Sequence, residues 1–272
     1  MIHSFHMNSQ TDLPFDIAKV LLAVEEASQL ALELQGHCRV EIKPDATFVT
    51  EADKKVELLL RDRLGKLALD WSFLGEEGGF TGDPDAACWV LDPIDGTNNF
   101  VKNLPVWCVS AGAVKDGEPL LGVVAVPPLN EIYWAVPGHG AWRKNAEGTM
   151  RLQAVDTEKL MHEDIVMCNT EADQPMDWSN VAASMRNFGT VAYHLVMAAS
   201  GNACAALARG HKLYDIAGGI PICREAGCIE KLLDGREWKA EPHSGTELTP
   251  LLIAKPGTAK LLSDAFGEWQ GE

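Results

Sequence analysis

The chain has 272 residues, enough for one large or two modest domains with at least one substantial core. Hydrophobic residues make up 46% and charged residues 23% of it, which excludes a collagenous, low-complexity or mostly disordered protein. Asp and Glu number 39 against 23 Lys and Arg, so the formal charge is −16. Such a charge repels nucleic acid and anionic lipid, so we expect neither a nucleic acid polymer nor a membrane as partner.

The cysteines and the N-terminus indicate a cytoplasmic protein. Seven cysteines form no CxxC pair, and an odd, scattered set is not a disulfide framework. Cys223 and Cys228 are interpreted as small core residues. Residues 1–12 contain no apolar run typical of a signal peptide and are predicted to be a mobile N-terminus. The apolar stretch 189–208 is interrupted by polar residues, which favours a buried helix over a membrane span.

In the first half of the chain, the hydrophobic pattern predicts two helices and then a sheet. Apolar residues recur every three or four positions over 14–35, and Gly36 ends this predicted helix. A second helix is predicted to follow the polar residues 50–53. Short apolar runs at 71–74 and 88–91 predict buried strands that lead directly into acidic residues. The segments 109–114, 120–126 and 132–136, separated by turn residues, predict an antiparallel meander.

Beyond residue 148 the pattern alternates between strands and helices. It predicts strands at 165–168, 203–207 and 251–254, and helices at 190–200, 215–225 and 258–266. No linker rich in Pro, Gly or Ser interrupts the chain. We therefore expect a layered α/β protein with an N-terminal α+β subdomain at 13–145, which carries the metal motifs, and a closely packed C-terminal α/β subdomain at 146–272.

The acidic segment 88–100 is the most informative part of the sequence. Its hydrophobic strand is predicted to stop at Asp92 and to turn through Pro93 into Asp95, Gly96 and Thr97. Two carboxylates at a strand end can face one cavity, and Mg²⁺ prefers oxygen ligands. Glycine permits close approach of the backbone, and free N–H groups at a helix start favour phosphate oxygens. The alternative is an Asp-Pro turn and an Asp-Gly bend without a ligand.

Further acidic residues occur where predicted elements end. Glu76 and Glu77 follow an apolar run and stand among glycines, and Asp215 opens a predicted helix. In layered α/β proteins ligands gather at strand ends, so separate segments can supply one metal cluster. Asp53 and Asp215 can each be interpreted instead as a helix cap.

Six short motifs follow one another along the chain: TEAD at 50–53, GEE at 75–77, DPIDGTNNF at 92–100, GT at 189–190, YDIAGG at 214–219 and EAG at 225–227. Their order resembles that of the inositol monophosphatase family. That family belongs to the lithium-sensitive, magnesium-dependent phosphatases, with fructose-1,6-bisphosphatases and bisphosphate nucleotidases. The resemblance spans residues 14–266 and implies alternating α-β-α-β-α layers, Mg²⁺ as cofactor, lithium sensitivity and a homodimer.

The resemblance also implies roles for individual residues. Metal ligands would be Glu76, Asp92, the carbonyl of Ile94, Asp95 and Asp215. Substrate contacts would come from Asp95, Gly96, Thr97, Gly189, Thr190 and Asp215. The catalytic residues would be Thr97, Asp53 and Glu76, with the Thr97 hydroxyl and Asp53 together polarising the attacking water.

Departures from the family pattern concern the substrate. Tyr214 stands where the family usually has Trp, and Arg209 and His211 lie where inositol-specific members tend to carry Glu. A cationic residue there would suit a second anionic group or a different polyol. We therefore predict a Mg²⁺-dependent phosphomonoesterase that hydrolyses a small phosphorylated metabolite by in-line attack of an activated water. The alternatives are a 3′(2′),5′-bisphosphate nucleotidase, a histidinol-phosphate phosphatase and a non-catalytic scaffold protein.

Overall fold

The first helical layer contains the two helices that the sequence predicts. A computed structural model describes residues 13–43, 47–169 and 176–267, so the predicted mobile N-terminus at 1–12 lies outside the described residues. Helix α1 spans Ile17–Leu34, and its start is set by the Asp16 side chain, which accepts a 2.9 Å hydrogen bond from the Ala18 backbone N–H. A small antiparallel ribbon of β1 (Val40–Ile42) and β2 (Phe48–Thr50), which the sequence pattern did not predict, leads into α2 (Glu51–Gly65).

An eight-stranded sheet follows and confirms the predicted meander. Its strands are β3 (Ser72–Gly75), β4 (Gly79–Thr81), β5 (Cys88–Asp95), β6 (Cys108–Lys115), β7 (Glu118–Val126), β8 (Glu131–Ala135), β9 (Ala141–Asn145) and β10 (Gly148–Arg151). The spatial order is β10-β9-β8-β7-β6-β5-β3-β4, and the short helix α3 (Thr97–Val101) connects β5 to β6. Strands β3 and β5 are parallel neighbours. The hairpin of β9 and β10 was not predicted.

The predicted end of the acidic strand was wrong. Strand β5 does not stop at Asp92 but continues, buried throughout, to Asp95. Its pairing with β6 shifts register between Asp92 and Asp95, as expected where Pro93 cannot donate a backbone hydrogen bond. Asp92 and Asp95 are therefore held by a strand in the middle of a sheet and not by a surface turn.

The C-terminal half forms a second, five-stranded sheet. Its strands are β11 (Ile165–Cys168), β12 (Ser184–Arg186), β13 (Ala205–Ala208), β14 (Ile229–Leu232) and β15 (Leu251–Ala254), in the order β12-β11-β13-β15-β14. Its helices are α4 (Val191–Ala199), α5 (Leu213–Ile216), α6 (Ile220–Glu225) and α7 (Pro256–Phe266). The single helix predicted at 215–225 was wrong, because α5 and α6 are separate helices. Between them, Gly218 packs against Ser110 of β6 and Gly219 against Leu195 of α4, so closely that a Cβ on either glycine would overlap its neighbour.

Alternate residues of each sheet face different helical layers. In β5, Trp89 and Leu91 pack with α1 and α2, whereas Val90 packs with α4, α5 and α6. In β13, Ala206 joins the core of the same central helices, whereas Leu207 packs toward α7. The result is the α-β-α-β-α layering that the resemblance implied.

The structure also bears on the expectations about membrane spans and disulfides. In the part of the chain that the structure describes, no helix is long and apolar enough to cross a bilayer. All seven cysteines are free thiols. Pairing in the large sheet extends to Arg151, and the subdomain division at 145/146 stays a prediction.

Candidate active site

The acidic residues singled out from the sequence meet where β3, β5 and α5 adjoin. Glu76 directly follows β3, and its backbone N–H donates a 3.1 Å hydrogen bond to the Leu91 carbonyl of β5, which places it beside Asp92. Asp92 is 2% and Asp95 9% exposed. Asp215 lies in the short helix α5, which packs against β5. Three segments that are distant in sequence thus contribute carboxylates to one place.

Asp95 connects this place to the central helical layer. Its Oδ2 accepts hydrogen bonds from the Thr190 hydroxyl at 2.5 Å and from the Ala192 backbone N–H at 2.6 Å, so it caps the start of α4. Gly96 follows with φ +92°, and a Cβ on it would lie 3.2 Å from the Gly189 carbonyl. The structure therefore brings together Gly96, Gly189 and Thr190, and glycine at 96 is required by both the left-handed backbone and the close approach.

Asp53 is a helix cap and a neighbour of Thr97 at the same time. It is fully buried, and its Oδ2 accepts from the Thr50 backbone N–H at 2.7 Å and the Thr50 hydroxyl at 2.6 Å, which completes a capping box at the start of α2. Its other oxygen, Oδ1, accepts a long 3.4 Å hydrogen bond from the Thr97 hydroxyl. The Thr97 hydroxyl also lies 3.1 Å from the carbonyl oxygen of Ile94.

Crowding of buried carboxylates raises their pKa values. Burial raises the pKa of Asp92 well above its ordinary value, and the charges of Glu76 and Asp95 raise it further. Burial raises the pKa of Asp215 to about 8, with Asp95 adding to the effect. It raises the pKa of Asp95 to about 6 against the hydrogen bond from Thr190, and that of Asp53 to about 6 against those from Thr50. These acids are costly to ionise together unless a cation balances them.

Lys43 is a residue of this site that the sequence patterns missed. Its Nζ lies 2.9 Å from Glu76 Oε1 and 2.6 Å from Glu77 Oε1. Burial lowers the pKa of Lys43, but the hydrogen bonds to Glu77 and Glu76 outweigh burial and raise it above its usual range. The pKa of Glu76 is raised by burial and held back by Lys43. Nothing in the pattern around β1 and β2 marked this lysine.

The donor chemistry of the cluster fits a hard cation. Asp92 Oδ1 is buried and has no hydrogen-bond partner within 13–43, 47–169 and 176–267, and a buried unpaired carboxylate oxygen is costly. The available donors are carboxylate and carbonyl oxygens, the ligand type that Mg²⁺ prefers. Across the described ranges, however, no three Asp, Glu, His or Cys side chains stand close enough to enclose an ion. Closing a metal site would thus require the carboxylates to draw together around the added charge.

A cavity of about 910 Å³ opens over the cluster. Its volume is in the range of small-molecule sites and exceeds what a phosphate group alone would fill. The lining includes the predicted site residues Glu76, Asp95, Gly96, Thr97, Gly189, Thr190 and Asp215, together with Lys43, Arg209, His211, Lys212 and Tyr214.

Arg209, His211 and Tyr214, which depart from the family pattern, all line this cavity. The backbone of Arg209 is fixed by the Asn169 side chain through hydrogen bonds of 2.7 and 2.8 Å, and its buried Nε and Nη2 have no hydrogen-bond partner among the described residues. Burial lowers the pKa of His211 to about 4, which disfavours the positive charge considered for it. Tyr214 is half-buried, with the Lys212 Nζ 5.6 Å from its ring centroid.

Comparison with known proteins gives the family of this chain. The profile of the Inositol monophosphatase family matches residues 11–264. The chain belongs to the inositol monophosphatase family. Among its relatives, the fructose-1,6-bisphosphatase/inositol-1-monophosphatase of Aquifex aeolicus is 31% identical over 203 residues, 71% of this chain and 75% of the relative. The histidinol-phosphatase of Streptomyces coelicolor is 32% identical over 241 residues, 84% and 89% of the two chains.

The architecture of this inositol monophosphatase family member is also that of solved structures. The extragenic suppressor protein suhB of Bartonella henselae superposes with a TM-score of 0.81 over 93% of this chain and 98% of that chain, at 23% identity. This likeness supports the fold alone. The family and the names of the curated relatives support a phosphatase function.

Proposed function

We propose that this protein is a Mg²⁺-dependent phosphomonoesterase that hydrolyses a small phosphorylated metabolite. The observation that carries the proposal is the convergence of Glu76, Asp95 and Asp215 at one cavity. The buried Asp92 lies close enough to these three acids for their charges to raise its pKa, and the Thr97–Asp53 pair is adjacent. Carboxylates alone would repel an anionic substrate. Balanced by divalent cations they form a phosphate site instead.

The residues that would hold Mg²⁺ are Glu76, Asp92, the carbonyl of Ile94, Asp95 and Asp215. When bound, Mg²⁺ would activate the attacking water and stabilise the charge on the leaving oxygen. The protein's part is to present these oxygens from rigid elements. Asp95 is oriented by Thr190 and Ala192, and Asp92 is fixed by the central strand β5.

Other residues of the chain would bind the phosphate and orient the water. The backbone N–H groups of Gly96 and Thr97 start α3, where no side chain of the described residues caps them, so they are available to phosphate oxygens. The Thr97 hydroxyl donates to Asp53 Oδ1, and this pair is suited to accept a proton from the attacking water. Thr190 and Gly189 would border the substrate on the side of α4.

The family relatives narrow the class of substrate. Their names specify inositol 1-phosphate, fructose 1,6-bisphosphate and histidinol phosphate. A sugar or inositol phosphate is our first candidate. Histidinol phosphate is the second, because the histidinol-phosphatase relative matches 84% of this chain. Lithium sensitivity, a homodimer and a cytoplasmic location stay predictions.

Phosphate release from a panel of substrates tests the proposal. The panel contains inositol 1-phosphate, fructose 1,6-bisphosphate, histidinol phosphate and 3′-phosphoadenosine 5′-phosphate, each assayed with Mg²⁺ and with chelator. We expect Mg²⁺-dependent release from at least one member and none with chelator. Release that persists in chelator would contradict the metal mechanism, and no release from any substrate would favour a non-catalytic scaffold.

A further inference from the structure

A second buried carboxylate on α2 contacts the segment that carries Glu76. Glu57 is 3% exposed and lies outside the acidic cluster. Its Oε2 accepts a 2.8 Å hydrogen bond from the Glu77 backbone N–H, and its Oε1 accepts a 3.0 Å bond from the Gly78 backbone N–H. One carboxylate therefore binds two consecutive peptide groups of the turn between β3 and β4.

Arg61 completes this connection. Its Nε donates to Glu57 Oε1 at 2.8 Å, its Nη2 to the Gly79 carbonyl at 2.8 Å, and its Nη1 to the Thr81 hydroxyl at 2.9 Å. Charge-assisted hydrogen bonds of this kind are stronger and more directional than neutral ones. Glu57 and Arg61 together hold the turn and strand β4 of the hairpin against α2.

The glycines of this hairpin leave room for the Glu57 side chain. A Cβ on Gly75 would overlap the Glu57 carboxylate, and a Cβ on Gly78 would lie 2.5 Å from Glu57 Oε1 and 2.8 Å from Arg61 Nη2. Neither glycine has a positive φ, so space and not backbone conformation requires glycine here. The acidic turn is thus shaped around Glu57.

The same helix also carries Asp53. Glu57 is four residues after Asp53, and residues four apart lie on one face of a helix. Asp53 reaches Thr97 while Glu57 holds the turn after Glu76. One rigid helix therefore sets the distance between the Thr97–Asp53 pair and the first acidic segment.

We propose that Glu57 is a positioning residue, which fixes the backbone of the Glu76 turn so that Glu76 can join Asp92 in binding a divalent cation. This inference rests on the proposed metal-dependent function. Groups that orient metal ligands typically affect metal affinity without touching the metal. Glu57 acts in this way through two peptide N–H groups and not through a ligand side chain.

Glu57→Gln tests this role, with titration calorimetry of the metal-free full-length protein by Mg²⁺ as the direct readout. The glutamine amide can accept only one of the two N–H bonds and turns a donor toward the other or toward Arg61. We expect Mg²⁺ affinity to fall by about 10- to 100-fold, with most of the turnover recovered at saturating Mg²⁺. A merely structural role would lower the melting temperature and leave the Mg²⁺ affinity of the folded protein unchanged.

Asp62→Asn is the control, because it removes two other ion pairs of α2, with Lys66 at 2.7 Å and with Arg63 at 2.6 Å, that do not contact the turn. We expect its Mg²⁺ affinity to equal that of the wild type. If Glu57→Gln does not fold, Gly78→Ala displaces the Glu57 carboxylate without removing it and should weaken Mg²⁺ binding in the same way. Wild-type affinity in a folded Glu57→Gln, or in Gly78→Ala where that variant replaces it, would overturn the positioning role. Failure of the wild type to bind Mg²⁺ would contradict the proposed function itself.

Discussion

Asp92 gives the strongest physical argument for the proposed role of the acidic cluster. Among the described residues one of its buried carboxylate oxygens is unpaired and other acids surround it, which costs folding free energy that a neutral side chain would not cost. Proteins keep such an arrangement where chemistry requires it. The sequence motif identified Asp92 as a candidate, but its complete burial and its position inside a strand came from the structure.

Asp92→Asn separates metal binding from folding. The substitution is nearly isosteric and removes a charge, so we expect Mg²⁺-dependent phosphate release to fall by roughly 100-fold or more. In chelator the melting temperature should stay equal or rise, because repulsion with Glu76 and Asp95 is relieved. Phosphate assays and thermal unfolding measure both effects. Near-wild-type activity would remove Asp92 from the site.

Thr97→Ala tests the proton path that ends at Asp53. If the Thr97 hydroxyl orients the attacking water, turnover should fall by roughly 100-fold, the scale of a lost general-base contact, while the Mg²⁺ concentration for half activation changes little. Thr97→Ser keeps the hydroxyl and should retain most of the turnover. Steady-state kinetics over a Mg²⁺ titration distinguishes these results. A variant that loses Mg²⁺ affinity but keeps its turnover at saturation would refute the assignment.

At the scale of elements, local patterns predicted the helices and strands but not how they are interrupted. Periodicity over 215–225 fits one helix, yet α5 and α6 are separate because the glycines between them pack on β6 and α4. Asp215 is consequently held by a four-residue helix whose position depends on this close packing. Only contacts between distant segments could reveal this break.

Gly218→Ala tests the importance of that close packing. The new methyl group would overlap the Ser110 hydroxyl and lie 2.9 Å from the Val123 carbonyl, so we expect destabilisation of roughly 1–3 kcal/mol. Gly245→Ala is the control, because the position of its Cβ is open and its φ is not positive. Urea unfolding compares the two variants. Equal unfolding free energies of the two variants would show that the segment between α5 and α6 accommodates the methyl group without loss of stability.

At the scale of the whole molecule, the acidic residues that give the net charge of −16 form two groups. Many acids lie on the surface in exposed ion pairs, such as Asp62 with Lys66 and Asp264 with Lys260, which contribute little to stability. A small group is buried between the large sheet and the central helices. Under the proposed function, divalent cations that balance the buried group would let this acidic protein accept an anionic substrate.

Buried histidines give this fold a defined sensitivity to acid. His194 is 1% exposed, its Nε2 accepts a hydrogen bond from the Phe188 backbone N–H, and burial lowers its pKa from 6.5 to about 4. Below pH 6.5 this histidine is protonated in the unfolded chain, whereas in the folded protein it stays neutral until the pH approaches 4. The stability contributed by neutral His194 is therefore complete above pH 6.5 and is lost as the pH falls to about 4.

His194→Gln isolates this contribution, since glutamine can still accept from Phe188. As the pH is lowered from 6.5 to 4, the unfolding free energy of the variant should rise by roughly 3 kcal/mol relative to that of the wild type. Above pH 7 the difference between the two proteins should be constant. The difference between the two proteins cancels the titration of the carboxylates. His243→Gln replaces a histidine at an exposed position by the same residue and controls for the substitution itself. Parallel curves over the whole range would contradict the role of His194.

The order of acidic motifs, the main helices and the meander could be predicted from the sequence because they depend on neighbouring residues. Helix periodicity, the caps at Asp16 and Thr50 and the DPIDGT segment are all local. Lys43, Glu57 and the extension of β5 to Asp95 could not be predicted, since each depends on contacts across the fold. In the sequence Glu57 is only a charged residue next to the apolar stripe of α2. Its role depends on the tertiary structure, which packs the turn after Glu76 against it.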